Sequence, residues 1–156
     1  MKHKFLLLAL VALFAACSTT KQVRNSQKGL KGNWTLSSIT TDQGNKVEIK
    51  ELFNQASPDC FEGSEWTFVS NNNSGTYSFM DVACINSTHS IKWFMEEDGQ
   101  DIYFLWKFIP DGVKPKDVTA GYKLKLISES ETEFVLAQDA SFEGSIISIY
   151  YQFVKN

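Results

Sequence analysis

Histidine is nearly missing from this chain of 156 residues. Of the two present, His3 sits between Lys2 and Lys4 in a short basic head, which leaves His89 alone in the body. One imidazole beside a few cysteines falls short of a four-ligand zinc site. His89 stands next to Ser90, but no Gly-x-Ser-x-Gly elbow accompanies it, so a Ser-His-Asp hydrolase is not expected. A lone histidine in an alternating strand reads as a solvated polar-face residue. A phosphate loop is lacking too, since "GNKVEIKE" has neither the glycines nor the Gly-Lys-Ser/Thr ending. No basic cluster is there to engage phosphates, which argues against nucleic acid. Nor is there a run of about 20 apolar residues, the length that crosses a bilayer. The acidic stretches "MEEDGQD" and "ISESETE" have turn composition and suit solvated hairpin tips better than calcium sites. These absences predict no catalysis, no metal and no cofactor.

What is present begins behind the basic head, where Phe5 to Phe14 form an unbroken apolar segment that stops at Ala16. That is the build of a secretory signal peptide. The residues "LFAAC" resemble the lipobox of bacterial lipoproteins, although Phe14 stands where an aliphatic residue is usual. The resemblance implies removal of residues 1–16, lipidation of Cys17 on sulfur and acylation of the new amino terminus. Several acyl chains at about 0.8 kcal/mol per buried methylene anchor a protein stably. The alternative is an ordinary signal cut after an Ala-x-Ala-like site, with Cys17 incidental.

Loss of Lys2 and Lys4 with the signal leaves 13 Lys+Arg against 18 Asp+Glu, so the net charge moves from −3 to −5. About 140 residues suit one domain. With Cys17 assigned to lipid, Cys60 and Cys84 remain as an even pair in an exported protein, where disulfides persist. Such a bridge closes a loop of about 24 residues and contributes roughly 3 kcal/mol in the chain-entropy picture. Two free buried thiols are the alternative. Residues 17–30, polar apart from Val23 and Leu30, read as a lipidated flexible tether with a reach on the order of 20 Å. No acidic cluster follows Cys17, which favours an outer membrane anchor facing the periplasm.

The rest alternates. "NWTLSSIT", "SEWTFVS", "GTYSFMD", "THSIKWFME", "DIYFLWKFI", "AGYKLKLIS", "ETEFVLAQD" and "SIISIYYQFV" are eight period-two segments separated by turn-rich connectors such as "NNNSG" and "EDGQ". Only "KVEIKELFNQASPDC" departs from that period. There Val47, Ile49, Leu52, Phe53 and Ala56 suit one face of a short helix, with Pro58 ending it. An all-β, eight-stranded antiparallel up-and-down barrel with one short helix between the first two strands hides every sheet edge. A sandwich is the competing arrangement.

"LKGNWTLSSI" carries a Gly-x-Trp at Gly32 and Trp34, at the start of the first strand, and in this the chain resembles the lipocalin family. The resemblance spans roughly residues 30 to 154 and implies a lipocalin-like barrel domain over residues 31–156 whose end is closed by Gly32 and Trp34. It also implies a lipid-anchored envelope protein that carries a small hydrophobic molecule. No arginine follows Arg24, so the cation that usually stacks on that tryptophan is not expected. The ligand-lining candidates are the inward positions Trp66, Phe68, Tyr77, Phe79, Trp93, Phe104, Trp106, Tyr122, Leu124 and Tyr151. The same rings equally suit a filled core. In that case the protein is an envelope interaction module whose work falls to an outer stripe at Tyr103, Leu105 and Ile109, with a protein partner unknown.

Overall fold

The computed structural model describes residues 20–44, 47–85 and 87–156, so the signal segment 1–16 and Cys17 lie outside the described residues. All eight alternating segments are strands: β1 (Gly32–Thr41), β2 (Glu65–Val69), β3 (Ser74–Ser78), β4 (Thr88–Asp98), β5 (Asp101–Ile109), β6 (Tyr122–Glu129), β7 (Glu133–Phe142) and β8 (Ser145–Lys155). Each pairs antiparallel with the next, and β8 returns to β1, so the sheet is a closed barrel and not a sandwich. Closure satisfies the backbone groups that an edge would leave open. Register shifts at Leu36/Ser38 in β1 and Leu126/Ser128 in β6 add the local twist that a small barrel needs. At Gly75 the wall is too tight for any side chain, since a Cβ there would lie 2.3 Å from the Thr67 carbonyl oxygen.

The segment expected as a flexible tether is largely a helix, α1 (Lys21–Gly29). Thr20 caps it, its hydroxyl accepting from the Val23 N–H at 3.3 Å. Val23, Ser26 and Leu30 fall on one face at helical spacing, and all three are buried against the end of the barrel where β1 begins. Three side-chain hydrogen bonds hold the helix there, one of them from Gln27 Nε2 to Asn73 Oδ1 at 2.6 Å. The Ser26 hydroxyl donates to Glu129 at 2.7 Å, and Gln27 accepts from the Met95 N–H at 3.2 Å. Two apolar residues sufficed because the rest of the face is satisfied by partners far along the chain.

A short helix does lie between β1 and β2, but it is α2 (Pro58–Phe61), and Pro58 opens it where the sequence reading had Pro58 ending one. Proline suits a first helical position, where its fixed φ fits and its missing N–H costs nothing. Residues 47–57, expected as the helix, are a loop. Phe53 and Asn54 have φ of 53° and 51°, which no right-handed helix accommodates. Among the described residues no helix is long and apolar enough to cross a membrane.

Candidate functional site

The inward rings divide into two levels. At the closed end, beside α1, Phe68 packs on Trp93 (ring centroids 5.2 Å apart) and Phe104 (5.5 Å), with Leu124 opposite Phe104 in the β5–β6 ladder. Trp34 lies beneath, fully buried, edge-on to Phe134 at 4.7 Å and donating its indole N–H to the Leu30 carbonyl at 2.8 Å. Gly32 takes φ of 126°, open to glycine but strained for other residues, as the chain enters β1. The cation over Trp34 is there after all: Lys155 at the end of β8 places its Nζ 5.2 Å from the ring. A distant lysine thus supplies the stacked cation that the lack of a late arginine left unexpected.

At the opposite end, the mouth, Trp66, Tyr77, Phe79, Trp106, Tyr122 and Tyr151 form an aromatic cup. Trp66 and Tyr77 stack at 4.7 Å, and Trp66 meets Trp106 edge-on at 5.4 Å. All ten lining candidates therefore face inward, nine of them buried and Tyr122 half-buried, but they do not enclose one common space. The lower four belong to a packed floor and the upper six to the cup.

The cup is occupied by the chain itself. Phe53, from the β1–β2 loop, sits edge-on to Trp106 at 4.9 Å, to Tyr122 at 5.0 Å and to Phe61 at 5.4 Å, with Tyr151 tilted alongside at 5.3 Å. Its loop is a tight turn in which the Gln55 N–H donates to Leu52 O and the Leu52 N–H to Ala56 O. Two wall hydroxyls reach this turn: Tyr122 donates to the Phe53 carbonyl and Tyr77 to Gln55 Oε1. The third, on Tyr151, bonds to Gln138 within the wall. Burial pushes the Tyr77 and Tyr151 phenols far above the usual tyrosine range, so both hydroxyls remain protonated donors. Burial also raises Tyr122, and the nearby Glu51 charge acts in the same direction.

Cys60 and Cys84 form a disulfide with Cα atoms 5.7 Å apart, tying α2 to the β3–β4 connector at the mouth. His89 is not a solvated polar-face residue. It shares the inward parity of Ile91 and Trp93 and stacks on Tyr77 at 4.8 Å, with Phe79 and Phe108 around it. Burial among these rings holds its pKa below the usual histidine value, and the charge of Asp111 opposes that shift. Ser87 Oγ lies 2.8 Å from His89 Nε2, while no carboxylate hydrogen-bonds the ring among the described residues. No three His, Cys, Asp or Glu side chains gather as a metal site among those residues.

The outer stripe is covered in part by its neighbours. Ile109 is buried, the Lys123 ammonium stands 4.3 Å over the Tyr103 ring, and Leu105 faces Phe94 across the β4–β5 ladder. Lys123 and Lys125 are in turn paired with Glu96, Asp98 and Asp101 on the solvent side.

Sequence reasoning named the wall of the cup and missed its occupant. Phe53 has the spacing of a helix face, although "SPD" after it is a helix start, with Ser57 before Pro58 and an acid in the first turn, and Asn54 tolerates the left-handed region.

Among solved structures, a lipocalin-like protein from Bacteroides uniformis is 14% identical, with a TM-score of 0.46 over 82% of this chain and 99% of its own. Bovine odorant-binding protein, in complex with a selenium-containing odorant, is 16% identical with a TM-score of 0.45, covering 81% of this chain and 73% of its own. No curated protein matches the sequence. The lipocalin-like domain family, however, matches residues 30–136, from the residue that accepts the Trp34 indole bond to the middle of β7, and this chain belongs to that family.

Proposed function

We propose that this is an exported, lipid-anchored envelope protein that holds one small hydrophobic molecule in the aromatic cup at the barrel mouth. One observation carries the reading: the cup's walls belong to β2, β3, β5, β6 and β8 and to Phe79 just after β3, whereas the ring at its centre, Phe53, comes from a loop, with Phe61 of α2 packed beside it. A loop is a removable occupant in a way that a strand is not, because its opening breaks few backbone hydrogen bonds. The fused rings and tyrosine hydroxyls supply apolar contact with a few placed donors, the usual make-up of a small-molecule site. The role is one of binding, with transport or sequestration as its outcome.

Anchoring at Cys17 is supported by "LFAAC" and by a disulfide that suits an oxidising compartment. Because α1 begins at Lys21, only Ser18, Thr19 and Thr20 separate it from Cys17. At full extension those links span roughly 14 Å. The anchor therefore holds the closed end near an outer membrane on its periplasmic side and leaves the mouth free.

The test is titration of the purified protein with N-phenyl-1-naphthylamine, following Trp emission, together with mass spectrometry of solvent extracts for co-purified lipid. Saturable quenching is expected. A Cys17→Ala variant is expected to leave the membrane fraction, and one that stays there with normal maturation removes the anchor. A second reading, an interaction module with a permanently filled barrel, is favoured by the outer cleft of about 300 Å³ around Phe94 and Leu105, where Phe94 is 43% exposed. That reading takes over if no probe binds and no lipid is extracted.

A further inference from the structure

The turn that carries Phe53 is not built for its own stability. Two successive residues at positive φ suit Asn-Gly or Gly-Gly, and a phenylalanine in the first place brings its Cβ against the following carbonyl. A residue held in that region marks a place where something other than local preference decides. Here the deciding factor is the side chain's destination. The Phe53 ring fills the cup, its carbonyl takes the Tyr122 hydroxyl, and two residues later the Gln55 amide oxygen takes the Tyr77 hydroxyl.

We infer that this loop is a built-in stand-in for the ligand, and that the cup selects arylalkyl carbonyl compounds: an aromatic ring joined through a short saturated link to a hydrogen-bond acceptor. The inference rests on the reading of the cup as a ligand site. Its physical basis is the cost of leaving a buried donor unpaired. Tyr77 is 0% exposed, so when Gln55 withdraws, its hydroxyl needs another acceptor. Tyr122 loses the Phe53 carbonyl in the same movement. A plain hydrocarbon replaces the ring and neither acceptor, whereas a carbonyl compound replaces the ring and brings one oxygen whose two lone pairs are open to the two hydroxyls. The loop also acts as a competitor, since ligand affinity is reduced by the fraction of molecules in which Phe53 is seated.

The experiment compares 3-phenylpropanamide, which reproduces the Phe53 ring, link and carbonyl, with butylbenzene, which lacks the acceptor. Both are titrated into the purified protein and into Phe53→Gly, with Trp66 and Trp106 emission as the signal. Glycine tolerates the positive φ, so this variant removes the ring without opposing the turn. The expected result is at least tenfold tighter amide binding by Phe53→Gly than by the unaltered protein. A preference of at least tenfold over butylbenzene is also expected, and it is lost when Tyr77→Phe and Tyr122→Phe are added. A folded Phe53→Gly that binds N-phenyl-1-naphthylamine saturably but shows no amide preference overturns the inference and leaves the cup as a ligand site. Binding of no probe at all overturns both. Should Phe53→Gly fail to fold, Gln55→Ala takes its place. A severalfold gain in amide affinity is then the expected result, and no gain overturns the inference.

Discussion

The two ends of this barrel bury aromatic rings to a similar degree and secure them differently. At the closed end the rings belong to strands, the cover is a capped helix, and the polar groups bond to elements that cannot leave without unfolding: Trp34 to Leu30, Ser26 to Glu129, Gln27 to Met95. At the mouth the central ring belongs to a loop in a left-handed turn, held by two tyrosine hydroxyls and backed by the Cys60–Cys84 disulfide. Burial alone does not separate a floor from a gate. What separates them is how much regular structure must break for the buried group to move.

That contrast is open to direct attack. The largest effect is expected from Trp34→Ala, which deletes a fully buried indole from the floor and leaves the Leu30 carbonyl without its donor. Urea unfolding should show a loss of about 3 to 5 kcal/mol, and a loss under about 1 kcal/mol would remove the closed end as the more firmly held half. Replacing Cys60 and Cys84 together by serine should cost roughly 3 kcal/mol by freeing the loop in the unfolded chain. Native-state hydrogen exchange should then show faster opening of the mouth, with β1 and β8 near Trp34 still protected. Uniform loss of protection would show that the two ends open as one unit.

The smallest effect concerns pH. His89 has a folded pKa below its unfolded value, so between the two the unfolded chain binds more protons and stability rises with pH. This contribution is complete above the unfolded value of about 6.5 and is lost as pH falls toward the folded one. Because His89 packs at the mouth on Tyr77, whose hydroxyl holds Gln55, acidification should loosen the mouth before the floor. A His89→Gln variant should show a flatter pH dependence of melting temperature over that interval. An unchanged slope would assign the dependence to other groups.

Much of the fold was legible because strand alternation is a local property. Trp34 and Leu36, Trp66 and Phe68, or Ile147, Ile149, Tyr151 and Phe153 each declare an inward face within a few residues. The even pair Cys60 and Cys84 was likewise readable from counting and compartment alone. Two segments were misread for related reasons. In α1 and its C-terminal cap only Val23 and Leu30 are apolar, and the helix is held by Glu129 and Met95, which no local window includes. In the β1–β2 loop the apolar residues do have helical spacing, but Phe53 gains more by entering the cup than the segment would gain from a marginal helix.

The sequence by itself determined the number of strands, their inward faces, the Gly-x-Trp entry into the first and the aromatic character of the interior, since each depends on neighbours within a turn or a strand. Only the tertiary structure decided that Lys155 covers Trp34, that His89 faces the rings, and that the cup made by Trp66, Tyr77, Trp106, Tyr122 and Tyr151 is filled by Phe53. The His89 contact is set by the register of β3 against β4, whereas Lys155 and Phe53 reach partners more than fifty positions away, and closure of β8 onto β1 brings Lys155 to Trp34.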